Sequence, residues 1–507
     1  MLVVSLIHAT IAILLAVYGA NTLFLTLTYA YARQQRGQEP ELCRPENWPV
    51  VTVQLPIFNE LHVVERLISS VAALDYPRDR LQIQILDDSI DETTALAAAC
   101  VDKYRLQGLD IQLLHRSERP GFKAGALDDA LNHVKGELIA IFDADFVPSP
   151  DFLRRTVPQL IADPIAGFLQ TRWGHLNDTY SMLTGAQAIA LDGHFVVEQV
   201  ARCQNGWFFG FNGTGGVWRK SCIETAGGWQ PDTLCEDLDL SYRAQLAGWR
   251  GIYLPDVVSP AEIPPQLAAF KQQQARWATG SIQTFRKLGA QVATSERPLL
   301  HRFEGLIHLG AYFCHPLMLL LLLLTLPLLW FDAMEIGPLR WLMAYLGLAS
   351  IGPPLLYVVS QQKLYYNETG DRNWLFRLTR LPLLVFLGTG IALSNTIAVA
   401  RGLTDRSPGF RRTPKFHLES RQDQWQNKRY ALPVTGVVVG ELFLSAYGLL
   451  TVAVAMARGH SYAVPFLLLY VLGFAFVAIL GLVQGRRSWR PGRAYESKQR
   501  PRRAYAD

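Results

Sequence analysis

The chain has 507 residues, a length that allows about two to four domains, and it carries a formal net charge of +5. Half of its residues are hydrophobic and 18% are charged, below the roughly one quarter that is usual for soluble domains. This composition indicates a partly membrane-embedded protein, and the small net charge argues for no nucleic-acid partner. The six cysteines form no CxxC pair or zinc-like spacing, so we expect reduced thiols.

An apolar run comes first, at residues 2–31, and it exceeds the roughly 20 residues that a membrane-spanning helix needs. No Lys or Arg precedes this run, whereas Arg33 and Arg36 follow it. A secretory signal would instead carry positive charge before the apolar run. The pattern predicts a transmembrane anchor at residues 1–32, with its carboxyl-terminal side in the cytosol.

The next region, residues 48–262, predicts a cytosolic α/β domain. Strand-like runs that end in polar residues lie at residues 50–58, 81–89, 110–115 and 137–145. Helical stretches lie between them, notably at residues 60–74, 91–107 and 123–134. This alternation favours a mainly parallel sheet covered by helices. Ligands of such sheets bind at the carboxyl ends of the strands, where the acidic residues of this domain lie.

Apolar runs return after the α/β domain, and each is long enough to span a membrane. They occupy residues 305–330, 341–360, 433–457 and 463–484. The sequence thus predicts interface helices at 263–300, two transmembrane helices within 301–360 and two more within 431–485. The basic tail at 486–507 is expected to be cytosolic and disordered.

The segment 401–430 bears on the topology because it carries eight Lys and Arg residues, which the positive-inside rule places in the cytosol. A span at residues 381–400 would put this segment outside. The cluster Ser394, Asn395 and Thr396 also suits an interface or a lined cavity better than lipid. The sequence therefore favours an interface helix within 378–430 over a sixth span.

Two of the predicted strands end in pairs of aspartates, Asp87 with Asp88 and Asp143 with Asp145. Alternate side chains of a strand share a face, so the second pair can point both carboxylates at one ligand. Two carboxylates at a strand end suit Mg²⁺ or Mn²⁺, which complete their oxygen shell with phosphate and water. A solvated acidic loop is the alternative.

A third acidic cluster lies in LCEDLDLSYRAQLAGWRG, residues 234–251. Leucine and tyrosine recur there at helical spacing, so Glu236 and Asp237 fall at a helix start. The helix dipole favours carboxylates at such a position in any protein. A carboxylate fixed beside an acceptor hydroxyl can also serve as a general base.

Two glycine-containing stretches allow a ligand to approach the backbone. PGFKAGALDDA, residues 120–130, opens a helix around Lys123, and its amides and ammonium suit a diphosphate as well as an ordinary turn. FFGFNGTGGVWRK, residues 208–220, places three glycines directly after Asn212 within four positions. Close approach to a ligand and a tight turn both explain these glycines.

The stretch KQQQARWATG, residues 271–280, precedes an apolar run and is typical of a helix at the membrane surface. Arg276 offers a planar charged fork to a diphosphate, and Trp277 offers a flat apolar face to a sugar ring. Gln273 shares the helical face of Arg276. For Gln272 and Gln274 the surface-helix interpretation is the better one.

Seven motifs in this order resemble the inverting, membrane-integrated family 2 glycosyltransferases of the cellulose synthase-like superfamily. They are PIFNE (56–60), DDS (87–89), FKAG (122–125), DAD (143–145), CED (235–237), QQARW (273–277) and FRRTPK (410–415). The spacing is closest to bacterial relatives of the mannan and glucan synthase-like proteins. Cys235 departs from the Thr that is common in the family, and only one clear span precedes the domain, so strict cellulose synthesis is not implied.

The resemblance implies a GT-A (nucleotide-diphospho-sugar transferase) α/β domain inserted in an α-helical transmembrane region of the plasma or inner membrane. It also implies a role for each motif residue. The donor-binding residues are Asn59, Glu60, Asp87, Asp88, Lys123, Gln273 and Arg276. Asp143 and Asp145 bind the metal, Asp237 is the catalytic base beside Glu236, Trp277 binds the acceptor, and Phe410, Thr413 and Lys415 form a gating loop.

The implied reaction is a single displacement from a nucleotide sugar, UDP-glucose or GDP-mannose, that leaves a β-glycosidic bond. The implied enzyme is processive: it extends a β-glucan or β-mannan type polysaccharide, expected to be β-1,4-linked, and moves it across the membrane. The growing polysaccharide and membrane lipid are the expected partners, and homo-oligomers and export partners stay open.

Two other functions compete with this one. A non-processive β-glycosyltransferase acting on a lipid, polyprenyl phosphate or ceramide, would share the aspartates, but the Arg-Trp motif and the gating loop suit a held polymer. A channel or transporter would have Glu441, inside an apolar segment, as its best evidence. That function leaves the acidic clusters unexplained.

Overall fold

A seven-stranded sheet forms the centre of the α/β domain in the computed structural model, which describes residues 1–35, 45–333, 347, 349–404, 409–426 and 428–488. The strands are β1 Val51–Ile57, β2 Leu81–Asp87, β3 Asp110–His115, β4 Leu138–Ile141, β5 Ala166–His175, β6 Gly216–Arg219 and β7 Arg250–Ala261. Their order is β3-β2-β1-β4-β6-β5-β7, and β6 alone runs antiparallel to its neighbours. The mainly parallel sheet predicted from the sequence is confirmed.

Polar residues inside the central strands are paired with each other across the sheet. Thr52 of β1 donates to Gln82 of β2 at 2.7 Å, and Gln54 donates to Gln84 at 3.0 Å. All four residues are at most 1% exposed, and these hydrogen bonds offset much of the cost of burying their polar groups, although Gln54 Oε1 has no hydrogen-bond partner among the described residues. Both faces of β1 and β2 can therefore be covered by helices.

One helix, α1, comes before the sheet in the chain, and the helices between the strands cover both faces of the sheet. They are α1 Leu2–Gln35, α2 Val64–Ala72, α3 Thr93–Leu106, α4 Phe122–Leu131, α5 Phe152–Ala162, α6 Met182–Asp192, α7 Gln199–Gln204, α8 Lys220–Thr225 and α9 Glu236–Leu246. A π-helix at Gly193–Glu198 joins α6 to α7. The helices predicted at 60–74, 91–107 and 123–134 correspond to α2, α3 and α4.

A second group of helices follows the sheet. It comprises α10 Leu267–Thr294, α11 Leu299–Leu309, α12 Cys314–Trp330 and the helices Gly352–Gln361, Trp374–Arg377, Leu381–Gly390, Ala392–Thr404, Val437–Ala457 and Val464–Ser488. Four helical stretches within the described residues are long and apolar enough to cross a membrane: Leu2–Tyr31, Ala311–Trp330, Val437–Ala457 and Ser461–Arg486.

The segment predicted as an interface helix contains a bend of 44° between Trp374–Gly390 and Ala392–Thr404, and the pair counts as a fifth candidate span if it is continuous. The interface position remains a prediction. Residues 341–346 and 348 of the predicted span 341–360 lie outside the described residues, as do residues 489–507 of the predicted tail.

Candidate active site

A cleft opens where β1, β2 and β4 end, between the sheet, α9 and α10. Thirteen sequence-predicted site residues line it: Glu60, Asp88, Lys123, Asp143, Asp145, Glu236, Asp237, Gln273, Arg276, Trp277, Phe410, Thr413 and Lys415. Asn59 and Asp87 do not. The motifs therefore converge on one place, although they span more than three hundred positions of the chain.

The predicted base lies at the start of α9, which packs closely against α10. Glu236 and Asp237 are the first two residues of that helix, and Cys235 precedes them. Gly280 of α10 lies so near that a Cβ there would be 2.4 Å from Cys235 Sγ. The absence of a side chain at Gly280 lets α10 hold the two carboxylates at the cleft.

The environment of Asp237 suits a general base that works near neutral pH. Burial and, to a smaller extent, the neighbouring Glu236 carboxylate raise the pKa of Asp237 to about 7, although Lys123 opposes the rise. Gly213 faces the carboxylate with a φ of +81°, and a Cβ there would lie 2.9 Å from Asp237 Oδ2. The glycine-rich stretch thus lets the backbone approach the base directly.

Lys123 connects the predicted base to the predicted metal ligands. Its Nζ donates to Asp143 Oδ1 at 2.6 Å and to the Gly213 carbonyl at 2.9 Å, and it lies 3.9 Å from Glu236 Oε1. Burial lowers the pKa of Lys123, but the carboxylates outweigh burial and leave its pKa above the ordinary value. Lys123 is therefore a fixed cation in the middle of the cleft.

Asp143 and Asp145 follow β4 and both line the cleft. The Asp143 amide donates to Thr214 Oγ1 at 2.8 Å, and the Asp145 carboxylate forms an ion pair with Lys415. No group of three or more His, Cys, Asp or Glu residues within the described ranges is arranged to hold a metal ion. Two carboxylates, each facing a cation, fit a Mg²⁺ or Mn²⁺ site whose remaining ligands come from phosphate and water.

Asn59 and Asp87 shape the edge of the cleft from behind. Asn59 has a φ of +53°. Its backbone N donates to Ser89 Oγ at 2.8 Å, and its side-chain Oδ1 accepts from Ile90 N at 2.9 Å. Asp87 is fully buried and accepts from Ser89 N, and its other oxygen lies 2.9 Å from His115 Nδ1. These contacts hold the turns after β1 and β2, and the donor-binding role of both residues remains a prediction.

Asp88, in contrast, faces the cleft and is held by two arginines. Arg116 donates to both of its oxygens at 2.8 Å, and Arg119 Nε lies 3.4 Å from Oδ2. The Arg119 guanidinium also stacks 3.3 Å above the Phe58 ring. This corner therefore combines a fixed carboxylate with a flat face of the kind that a nucleobase stacks on.

Gln273, Arg276 and Trp277 of α10 line the opposite wall of the cleft. The Arg276 guanidinium lies 4.9 Å from the centroid of the Phe410 ring, which stacks in turn on Phe122 at 5.9 Å. An arginine held against an aromatic ring keeps its donors directed along the ring plane and available to an anion. The wall thus combines a cation, a tryptophan and an amide.

The other two glutamines of KQQQARWATG are partly buried and each contacts another segment, and the position of this stretch at the membrane surface remains a prediction. Gln272 Nε2 donates to the Arg412 carbonyl at 2.7 Å, and Gln274 Oε1 accepts from Tyr312 OH at 3.4 Å. Each of the three glutamines in KQQQARWATG therefore contacts a different part of the protein. Gln273 lines the cleft, Gln272 binds the loop that contains Arg412, and Gln274 contacts the candidate span Ala311–Trp330.

Residues 409–415, which we call the cleft loop, cover the cleft. Arg412 Nη1 lies 3.1 Å from Glu60 Oε2, Lys415 pairs with Asp145, and Thr413 Oγ1 is buried without a hydrogen-bond partner among the described residues. Burial raises the pKa of Glu60 to about 7, and Arg412 and Lys415 oppose that rise. The loop thus places two cations on two carboxylates of the site.

Sequence reasoning missed Arg116, Arg119, Arg412 and Trp173, of which the last three line the cleft. Arg116 and Arg119 follow β3, so the rule that ligands bind at strand ends could have found them. Arg412 lies inside the FRRTPK motif. Trp173 lies on β5, a strand without a charged end to draw attention to it.

Residues 49–280 match the family described as glycosyltransferase like family 2. The glucomannan 4-beta-mannosyltransferase 2 of Arabidopsis thaliana is 43% identical over 255 residues, 50% of this chain and 48% of that protein. The glucomannan 4-beta-mannosyltransferase 1 of Oryza sativa subsp. japonica is 41% identical over 263 residues, 51% of this chain and 50% of that protein. The chain spans about half the length of these curated relatives.

The fold is also similar to a solved structure, the mannosyltransferase PcManGT from Pyrobaculum calidifontis in complex with GDP-Man and Mn²⁺. The TM-score is 0.51 and the identity is 24%, over 79% of this chain and 100% of that one. This likeness concerns the fold, and it confirms the GT-A α/β domain expected from the sequence.

Proposed function

Because residues 49–280 of this chain are a glycosyltransferase family 2 domain, we propose that the protein is an inverting, processive β-mannosyltransferase. It extends a β-1,4-linked, mannan-type polysaccharide with mannosyl units taken from GDP-mannose. The support for mannose, rather than glucose from UDP-glucose, is the 41–43% identity to relatives named glucomannan 4-beta-mannosyltransferases.

The cleft provides the groups that this reaction needs. Asp237 accepts the proton of the acceptor hydroxyl as that oxygen attacks the anomeric carbon from the face opposite the departing diphosphate. Lys123 and Arg276 stabilise the negative charge that grows on the diphosphate. Asp143 and Asp145 would hold the Mg²⁺ or Mn²⁺ ion, which neutralises the same charge when bound.

A line of polar side chains leads from α10 into the apolar helices that follow it and supports transfer to a held polymer. Tyr312 contacts Gln274 of α10, and its ring lies 6.0 Å from that of His315. Asn395 Nδ2 donates to His315 Nε2 at 2.9 Å, and Asn395 is fully buried. Polar groups inside apolar helices face a partner or a water-filled path, and a polysaccharide supplies many hydroxyl partners.

The observation that carries the proposal is that Asp237 and Trp277 line one cleft together with Lys123 and Arg276. This shared lining supports a site in which a base and an aromatic platform for a sugar lie close to the groups that bind a diphosphate. A lone donor-binding domain needs neither the platform nor the polar line beyond it.

The test uses the full chain purified into lipid nanodiscs, with Mn²⁺ and labelled GDP-mannose or UDP-glucose. We expect label from GDP-mannose in a polymer that endo-β-1,4-mannanase digests to short oligosaccharides. Label from UDP-glucose alone would overturn the choice of sugar. A product with one sugar that partitions into organic solvent would instead establish a lipid glycosyltransferase.

A further inference from the structure

Glu262 follows β7 by one residue and accepts three backbone hydrogen bonds from the segment just after the cleft loop. Phe416 N lies 2.8 Å from its Oε1, and His417 N and Leu418 N lie 2.8 and 3.4 Å from its Oε2. His417 has a φ of +54°, so the successive amides form a concavity of the kind that binds anions. The Glu262 side chain is 1% exposed and occupies this concavity, so the anion bound there is the protein's own carboxylate.

The three hydrogen bonds lie at a boundary in the segment. Before them, Arg412 and Lys415 reach into the cleft. After them, Phe416, Leu418 and Trp425 form a buried cluster and are at most 3% exposed. The chain thus changes from a cleft lining to a packed structure at the residue that Glu262 first contacts.

Glu262 is also tied to the predicted metal ligands through the sheet. Its neighbour Ala261 forms an antiparallel bridge with Phe146, the residue directly after Asp145. Val147 N donates to the Pro260 carbonyl at 3.0 Å in the same bridge. Asp145 and Glu262 are thus connected through one strand bridge. The cleft loop connects them a second time, because Lys415 pairs with Asp145 and the next residue, Phe416, donates to Glu262.

We propose that Glu262 is a positioning residue that fixes the carboxyl-terminal end of the cleft loop. It thereby holds the Lys415 ammonium in one position relative to Asp145 and to the donor diphosphate. These hydrogen bonds attach the segment that begins at Phe416 to the residue directly after β7. The inference rests on the proposed function for its catalytic consequence, but the attachment itself does not depend on any sugar.

The first test measures amide hydrogen exchange on the full chain in nanodiscs. In the wild-type protein we expect the amides of residues 416–418 to exchange at least about tenfold more slowly than those of 410–413. Glu262→Gln replaces one acceptor oxygen by an NH₂ group and should remove this protection. Glu296→Gln is the matched control, because Glu296 is exposed and lies outside the cleft.

The second test measures mannosyl transfer with GDP-mannose and Mn²⁺. Loss of hydrogen bonds to a charged group should lower kcat/KM about tenfold in Glu262→Gln. In a Lys415→Met background the same change should lower it by less than about threefold, because Glu262 acts through Lys415. A merely structural role predicts equal factors in both backgrounds.

Each arm can overturn the proposal. Wild-type amides at 416–418 that exchange as fast as those at 410–413 would remove the attachment, whatever the transfer assay gives, and this measurement needs no variant to fold. Protection lost in Glu262→Gln with unchanged kcat/KM would remove the positioning role. If the wild-type protein transfers no sugar, the proposed function fails, and the exchange data still decide whether Glu262 anchors the loop.

Discussion

Arg116 contacts Asp88 through two nitrogens at once: Nε lies 2.8 Å from Oδ1, and Nη2 lies 2.8 Å from Oδ2. Its third nitrogen, Nη1, donates to Asp129 at 2.7 Å. A bidentate pair of this kind fixes the plane of the carboxylate as well as its position. The orientation of Asp88 in the cleft therefore depends on a residue outside the motifs.

Replacing Arg116 by lysine keeps the charge and removes the fork, so Asp88 loses its fixed orientation. We expect KM for GDP-mannose to rise about tenfold in Arg116→Lys, with a smaller change in kcat. Arg105→Lys on α3 is the control, because the Arg105 side chain is 57% exposed. Initial rates over a donor concentration series give both constants, and an unchanged KM in Arg116→Lys would refute the role.

The parts of the fold that were predictable have local signals. β1 to β4 are apolar runs that stop at polar residues, and each boundary came within four residues of the observed one. β5, β6 and β7 were not predicted, because charged residues interrupt β5 and β7 (Arg172 and Asp256) and β6 has only four residues. Trp173 lies on β5, and no local sequence pattern indicated that its side chain lines the cleft.

The parts of the site that were not predictable depend on contacts between distant segments. Glu60 and Arg412 are 352 positions apart, and no local pattern pairs them. Asp87 and Asp88 look equivalent in sequence, yet the pleat of β2 turns one toward the interior and the other toward the cleft. Only the assembled sheet separates a carboxylate that holds a turn from one that faces a ligand.

Replacing the base tests the chemistry directly. Asp237→Asn keeps the size of the side chain and removes its ability to accept a proton, so we expect kcat to fall about 10²- to 10⁴-fold. Binding of GDP with Mn²⁺, measured by calorimetry, should change little, because the proposed partner of Asp237 is the acceptor hydroxyl and not the nucleotide. Asp232→Asn, on a side chain that is 54% exposed, serves as the control. Transfer at the wild-type rate would remove Asp237 from the mechanism.

The raised pKa of Asp237 predicts a pH dependence with a definite sign. A base works only when deprotonated, so kcat/KM should fall as the pH drops through about 7, approaching tenfold per pH unit below it. A profile that stays level down to pH 5 would contradict the assignment.

Stability should follow the opposite trend. The pKa of Asp237 lies above its ordinary value of 3.8, so the group contributes stability that is complete at low pH and is lost as the pH rises through about 7. Asp237→Asn lacks this contribution to the pH dependence. The slope of Tm against pH between 5 and 8 should therefore be less negative in the variant than in the wild-type protein.

Trp277 separates polymer extension from donor cleavage. Its indole lines the cleft and would support the acceptor sugar by stacking, an interaction that water as acceptor does not use. Trp277→Ala should lower mannosyl transfer to polymer at least about tenfold and leave release of GDP by hydrolysis within about threefold. Both rates come from one reaction mixture, so the loss of active protein cancels in their ratio. Equal losses would assign Trp277 to the fold or to the donor.

The close approach of Gly213 to Asp237 allows a substitution with a near-ideal control. Gly213 has a φ of +81° and faces Asp237 Oδ2, whereas Gly248 has a φ of +96° and nothing within 4 Å of an added Cβ. Alanine at either position carries a similar backbone strain of about 1–3 kcal/mol. Only Gly213→Ala also pushes against the base.

Both variants should therefore lose similar thermal stability, while their catalytic effects differ. We expect kcat to fall at least about 10²-fold in Gly213→Ala, because a small displacement of a catalytic group has a large effect on rate. Gly248→Ala should transfer mannose within about twofold of the wild-type rate, since position 248 lies outside the cleft. Equal activity of the two variants would mean that Asp237 tolerates displacement, which a positioned general base does not.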